Sequence, residues 1–121
     1  MACTLGGLGV ALGAFGAHGL KKIVAPETVS TYQTGVQYQM YHVFALLAIG
    51  LLSEKFMGSF IHYAGFFFLA GIILFSGSLY LAVSLEAMQK TVPVFVRLIT
   101  PAGGMFFIIG WVLMLIGIIR K

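Results

Sequence analysis

Long uncharged stretches alternate along the chain with short clusters of charged residues. The uncharged runs are 20, 26, 30 and 22 residues long and cover residues 1–20, 28–53, 56–85 and 98–119. A helix needs about 20 apolar residues to cross about 30 Å of hydrocarbon. The pattern therefore predicts a single domain with four membrane-spanning helices and both termini on one side. The predicted spans are about 2–20, 36–53, 60–85 and 98–119.

The first run favours a retained spanning helix, and a cleaved signal peptide is the alternative. Signal peptides begin with a basic segment, whereas the first twenty residues carry no charged side chain. The run is long enough to cross the membrane only when Met1 lies at the membrane surface.

The second run is polar over its first half. Its purely apolar part, residues 43–52, is too short to span, so the span must reach back to about Val36. Pro26 and Glu27 are typical of a helix start, because proline suits the first turn and an acid suits the positive helix end. We expect a short interfacial amphipathic helix over about 26–34. A re-entrant segment is the alternative for the second run.

Composition places the whole chain in lipid. Of its 121 residues, 60% are hydrophobic and 8% are charged, and the mean hydropathy is +1.06. A soluble domain is roughly 45–50% apolar and about 25% charged, and a chain this small has too little interior to bury the surplus. The figures exclude a soluble globular monomer and a disordered chain, and they predict an all-α, multi-pass integral membrane four-helix bundle.

Charge and cysteine content exclude further classes. The formal net charge is +4, but the basic residues stand singly or in pairs at the ends of apolar runs. They are typical of interfacial anchors, so the lipid bilayer is an expected partner and nucleic acid is not. Cys3 is the only cysteine, which excludes an intrachain disulfide and a cysteine metal cluster.

Small residues recur at helical spacing in the first and fourth spans. In lipid, helices associate through close packing, which small residues allow. Packing within one bundle is the favoured interpretation, and a homodimer seam is the alternative. The candidate packing residues are Gly9, Gly13, Ala17, Gly103, Gly110 and Gly117.

Polar residues of all four spans are predicted to lie in one half of the bilayer. Such groups are costly in lipid unless they face the bundle or a water pocket. The members of this candidate cluster or ligand site are His18, Gln37, Tyr41, His42, Ser76, Ser78, Tyr80 and Thr100.

Three interpretations of the cluster remain open, of which a hydrogen-bonded plug that fixes helix register is favoured. The second is a site for a quinone, a lipid head group or a small solute. The third is metal or haem ligation by His18 and His42, but no carboxylate or thiolate joins them. We therefore predict no metal site and no cofactor.

Catalytic constellations are absent from the sequence. Glu27, Glu54 and Glu86 lie in loops or at interfaces and form no carboxylate pair, and no nucleophile, zinc or phosphate-binding motif occurs. We expect a protein that is not an enzyme. No acidic residue lies within a span, so the usual sign of a proton-coupled pump is missing.

Four segments, in order along the chain, resemble DUF423, a family of small membrane proteins that includes the UPF0382 proteins and the animal transmembrane protein 256. They are ALGAFGAHGLK (11–21), TGVQYQMYH (34–42), GIILFSGSLYL (71–81) and ITPAGG (99–104), with Gly110–Trp111 downstream. The resemblance implies a four-helix integral membrane protein of unknown biochemical activity, and it offers no catalytic residues. We expect it in the plasma membrane of a bacterial cell.

Function follows only coarsely from these observations. The favoured hypothesis is a non-catalytic subunit, assembly factor or stabilising factor of a larger membrane complex. The alternative is a transporter-like protein that binds a small solute, lipid or quinone and acts as a homo-oligomer. Four helices alone enclose little more than side chains, so the alternative requires several copies.

Overall fold

The computed structural model describes residues 2–56 and 58–120, in which helices are joined by short turns. Between the α-helices lie a 3₁₀ turn at Leu20–Lys22 and a π-helical segment at Ile72–Ser76. The α-helices are α1 (Ala2–His18), α2 (Pro26–Lys55), α3 (Ser59–Gly71), α4 (Gly77–Ala87) and α5 (Val94–Arg120).

Four stretches of the described chain are long and apolar enough to cross a membrane. They are Ala2–Lys22, Pro26–Lys55, Ser59–Ala87 and Val94–Arg120. The prediction of an all-α fold with four membrane-capable helices is therefore confirmed. Met1, whose position at the membrane surface was expected, lies outside the described residues.

Helix α2 differs from the expectation at its beginning. It starts at Pro26, with Glu27 in its first turn, as the sequence predicts. Residues 26–34, however, form no separate interfacial helix, because α2 continues unbroken to Lys55. No proline follows Pro26 within this stretch, and the polar residues before Val43 are compatible with helix, so nothing interrupts the backbone hydrogen bonds.

Helices α3 and α4 form one rod interrupted by the π-helical segment Ile72–Ser76. The rod ends in a turn in which Gln89 has a φ of 58° and the Lys90 amide donates to the Leu85 carbonyl at 2.8 Å. This is the hydrogen bond of a Schellman motif, and here Gln89 takes the position that glycine usually occupies.

Successive long helices run antiparallel and pack as neighbours: α1 along α2, α2 along the α3–α4 rod, and the rod along α5. The close contact between the rod and α5 depends on three glycines of α5. They are buried at positions where a side chain would collide with the rod. An added Cβ would lie 2.8 Å from the Phe75 Cα at Gly103, 2.7 Å from the Phe68 ring at Gly110 and 2.7 Å from the Ile61 side chain at Gly117.

Fewer small residues of α1 pack closely against α2 than the sequence predicts. Gly9 is buried against Met40, and Gly16 is buried against Tyr32. Gly13 is half-buried, and a Cβ there would lie 3.4 Å from Val36. Ala17 is exposed, which corrects its assignment to the packing face. The close contacts fall seven residues apart, which is two helical turns.

Candidate functional site

Polar side chains of α2 divide between an inward and an outward face. Gln39 and His42 are 2% and 5% exposed, whereas Gln37 and Tyr41 are exposed. Positions three apart on a helix share a face, and so Gln39 and His42 point into the bundle together. The structure thus corrects the predicted cluster. Gln37 and Tyr41 do not belong to it, whereas Gln39, which was not predicted, does.

Gln39 joins three helices. Its Nε2 donates to the Leu5 carbonyl of α1 at 2.7 Å, and its Oε1 accepts from the Tyr80 hydroxyl of α4 at 2.7 Å. A second tyrosine repeats the contact between α1 and α2, because the Tyr32 hydroxyl donates to the Leu12 carbonyl at 2.7 Å. These hydrogen bonds fix the axial positions of α1, α2 and α4 relative to one another.

His42 uses both ring nitrogens. Its Nε2 accepts from the Trp111 Nε1 of α5 at 3.1 Å, and its Nδ1 lies 2.8 Å from the Tyr38 carbonyl. Since an indole can only donate and a carbonyl can only accept, the ring is neutral with its proton on Nδ1. The Phe107 ring stacks on it, with centroids 3.6 Å and planes 8° apart. His42 therefore connects α2 to α5.

The serines at and just after the π-helical segment form further interhelical hydrogen bonds. The Ser76 hydroxyl donates to the Gly35 carbonyl of α2 at 2.6 Å. The Ser78 hydroxyl donates to the Phe75 carbonyl at 2.8 Å and lies 2.5 Å from the Thr100 hydroxyl of α5. Because Ser78 has one proton to donate, Thr100 is the donor of that bond.

His18 lies far from His42 along the helix axis. The contacts of Gly9 with Met40 and of Gly16 with Tyr32 set an antiparallel register in which His42 lies level with residue 7. The two histidines are then about eleven residues, or about 16 Å, apart in depth. His18 is exposed and its Nδ1 lies 3.0 Å from its own Ala14 carbonyl.

This separation corrects the expectation that one level of the membrane contains all the polar groups. It also leaves no basis for metal ligation by the two histidines together. In residues 2–56 and 58–120, no group of three or more His, Cys, Asp or Glu side chains lies close enough to hold a metal ion.

A lipid-facing groove of about 460 Å³ lies beside His42, between α2 and α5. Tyr38 and Trp111 form part of its wall and are 38% and 47% exposed. The Tyr38 ring stacks on Phe75 of the π-helical segment, with centroids 4.7 Å apart. The other lining residues are His42, Pro101, Gly104, Met105, Phe107 and Ile108. We call this surface the aromatic groove.

Four of the residues that build the site are missing from the sequence-predicted set: Gln39, Tyr32, Phe107 and Trp111. The spacing of Tyr32, Gln39 and His42 fits one helical face and is a signal that sequence reasoning can use. The roles of Phe107 and Trp111 carry no such signal, because aromatic residues are common throughout the apolar runs.

Comparison with known proteins places the chain among membrane proteins without an assigned activity. A protein-family profile described as "Protein of unknown function (DUF423)" matches residues 12–104. No solved structure has significant similarity to the chain.

Curated relatives come from several bacteria. The UPF0382 membrane protein YwdK of Bacillus subtilis is 40% identical over 114 residues, which cover 93% of this chain and 88% of the relative. The UPF0382 inner membrane protein YgdD of Escherichia coli is 39% identical, with 92% and 80% covered. A UPF0382 membrane protein of Haemophilus influenzae is 45% identical, with 85% and 77% covered.

Proposed function

The chain belongs to DUF423, a family of membrane proteins of unknown function, and we propose that it is a non-catalytic subunit, or an assembly or stabilising factor, of a membrane protein complex.

One observation carries this proposal: the buried polar side chains are already paired within the chain. Among the described residues, no buried side-chain nitrogen or oxygen lacks a hydrogen-bond partner. Buried polar groups that bond one another hold helices in register, and they leave no unpaired buried atom for a ligand to meet. The pairing of Gln39 with Leu5 and Tyr80, and of His42 with Tyr38 and Trp111, supports a role in holding helices together.

The aromatic groove is the surface on which we place a partner. Half-exposed aromatic rings are frequent anchors of protein interfaces, because they are large and rigid. Gly104, beside Tyr38 and Trp111 in the groove, leaves room for a helix to approach closely, as small residues do in membrane helix pairs. The partner proposed for this groove is a transmembrane helix of another protein.

A second candidate function is supported by the Tyr38 hydroxyl. This hydroxyl has no hydrogen-bond partner among the described residues, and its ring lines the aromatic groove. A lipid or quinone carbonyl in the groove would accept a hydrogen bond from it. In that case the groove holds a small apolar molecule, and the protein is a binding or transporter-like protein that acts as an oligomer.

Gly104→Leu tests both candidates by filling the groove. An added Cβ at Gly104 has no neighbour closer than 3.9 Å, so the larger side chain extends from the helix without forcing α5 off the rod. Gly7→Leu is the matched control, since an added Cβ at that exposed position of α1 meets nothing within 4 Å.

The tagged proteins are extracted with mild detergent and analysed by native mass spectrometry. A photo-crosslinking residue at Met105, in the groove, is compared with one at Val10, exposed on α1. The proposal expects a protein that copurifies in fixed stoichiometry, crosslinks at position 105 and not at position 10, and is lost in Gly104→Leu alone. A small molecule lost in the same way supports the second candidate. A free chain in all samples counts against both.

A further inference from the structure

A second groove, of about 290 Å³, lies at the membrane boundary and contains two opposite charges. It is lined by residues from the second turn of α2, from most of the length of α4, from the turn before α5 and from the first two turns of α5. The Glu86 carboxylate and the Arg97 guanidinium belong to its wall together with Thr31, and Leu79, Val92 and Val96 provide apolar surface. We call it the charged groove. It is separate from the aromatic groove, with which it shares no lining residue.

The two charges of the charged groove do not neutralise each other. Among the described residues, no salt bridge joins Glu86 to Arg97, and both side chains are exposed. The hydrogen-bond partner of the Glu86 carboxylate is the Thr28 hydroxyl of α2, at 2.6 Å. An acid and a base that face one groove without meeting can each bind a complementary charge of the same ligand.

The depth of the two charges follows from the register of the helices. Thr100 hydrogen-bonds Ser78, and so Arg97, three residues earlier on α5, lies level with Leu81 of α4. Glu86 is five residues further along α4, which places it about 7 Å closer to the membrane surface. From the hydrocarbon outward, the groove therefore presents Leu79 at its inner end, then the cation of Arg97, then the anion of Glu86, while Val96 and Val92 line its outer part.

This order matches the parts of one class of lipid. A zwitterionic glycerophospholipid has acyl chains, then an anionic phosphate, then a cationic amine at the outer end. An arginine fork suits a phosphate, and a carboxylate accepts charge-assisted hydrogen bonds from a primary ammonium. A quaternary ammonium has no proton to donate, and a glycerol head group has no positive charge for Glu86.

We infer that the charged groove binds a phospholipid with a primary-ammonium head group of the phosphatidylethanolamine class. Arg97 binds the phosphate, and Glu86 binds the ammonium. This binding site does not depend on the proposed role of the protein in a complex, because a different surface is used for the partner.

The test measures which lipid the full-length protein keeps. The chain is placed in nanodiscs containing equal amounts of phosphatidylethanolamine, phosphatidylcholine and phosphatidylglycerol with identical acyl chains, and the retained lipids are counted by native mass spectrometry. One exposed charged pair contributes up to about 1 kcal/mol, which is about a fivefold preference for phosphatidylethanolamine over either competitor.

Four variants separate the two charges from the fold. Glu86→Gln should remove the preference over phosphatidylcholine, and Arg97→Gln should lower the retention of all three lipids. Thr28→Val removes the hydrogen bond to Glu86 but keeps the carboxylate, so it should retain the preference. Lys90→Gln changes an exposed cation outside the groove and should behave as the unsubstituted protein.

Four results would overturn the inference. Equal retention of all lipids, or preferred retention of phosphatidylglycerol irrespective of Glu86, would show that no ammonium is recognised. Loss of the preference in Thr28→Val would assign the effect to local structure. Equally tight binding of water-soluble glycerophosphoethanolamine would indicate a soluble ligand in place of a membrane lipid.

Discussion

At the residue scale, His42 shows how an imidazole is accommodated among apolar helices. Its two nitrogens are satisfied by a carbonyl of its own helix and by the indole of Trp111, while Phe107 covers one ring face. The arrangement needs α2 and α5 in one relative position, because the indole reaches Nε2 only there. His42 thus contributes to the specificity of packing as well as to stability.

Replacing either partner of the hydrogen bond between Trp111 and His42 should destabilise the fold by a similar amount. His42→Leu removes the acceptor, and Trp111→Phe removes the donor but keeps a large aromatic ring. We expect each variant to lose about 1 kcal/mol of unfolding free energy, since membrane hydrogen bonds average about 0.6 kcal/mol and packing changes add to this. Thermal unfolding in detergent measures the loss.

The double variant identifies the hydrogen bond itself. If Nε2 and Nε1 interact, the loss in His42→Leu/Trp111→Phe is smaller than the sum of the two single losses. Tyr41→Phe is the control, because Tyr41 is exposed and its hydroxyl has no partner among the described residues. Strictly additive losses would contradict an interaction between the two side chains.

Two of the three glutamines of α2, Gln37 and Gln39, provide a matched pair. Gln39→Leu removes the hydrogen bonds to the Leu5 carbonyl and from the Tyr80 hydroxyl, and we expect a loss of about 1–2 kcal/mol of unfolding free energy. Gln37→Leu makes the same chemical change on the exposed face and should leave stability unchanged or slightly higher. Chemical denaturation of both variants decides the matter, and equal stabilities would refute the role of Gln39.

At the element scale, the contact between α5 and the α3–α4 rod depends on the seven-residue spacing of Gly103, Gly110 and Gly117. Helices in lipid associate through close approach of their backbones, because burying apolar side chains against each other gains little over lipid. Gly103 is the most demanding position, since it meets the backbone of Phe75 in the π-helical segment. A backbone cannot move aside as a flexible side chain can.

Gly103→Ala and Gly104→Ala should therefore differ strongly although they are adjacent. At Gly103 the methyl group would overlap the Phe75 backbone, and we expect a loss of about 2 kcal/mol in unfolding free energy. At Gly104 the nearest atom to an added Cβ is 3.9 Å away, which is an ordinary contact. Melting temperatures in the same detergent compare the two, and a Gly103→Ala protein as stable as Gly104→Ala would contradict the close approach.

At the scale of the whole molecule, the four antiparallel membrane-capable helices place Ala2 and Arg120 at the same end of the bundle. The turn between Ala87 and Val94 belongs to the opposite side, together with the charged groove. The basic residues do not orient this arrangement, because they are divided almost evenly between the two sides.

Reporter fusions test this topology directly. A reporter after the last residue and one inserted in the turn between Ala87 and Val94 should be active in opposite compartments. A periplasm-dependent phosphatase and a cytoplasm-dependent fluorescent protein at each site give complementary signals. Signals from the same compartment at both sites would mean that α5 does not cross the membrane. That result would contradict the four-span topology.

Sequence alone determined the environment of this protein and the number of its long helices. Uncharged runs of this length cross lipid as helices, because a helix hydrogen-bonds each backbone polar group within the segment itself. The start of α2 at Pro26 was equally predictable, since proline and an acidic residue favour a first turn. The four signature segments also led to the family, which the profile match and the relatives confirm.

Only the tertiary structure decided which polar residues meet. Gln37 and Gln39 look alike in sequence, and they differ because one faces lipid and the other faces α1 and α4. The sequence predicts one level for His18 and His42, but the glycine contacts of α1 with α2 set a register that separates them. Register depends on contacts of a few ångströms between helices, and hydropathy, which is averaged over a whole span, carries no information about them.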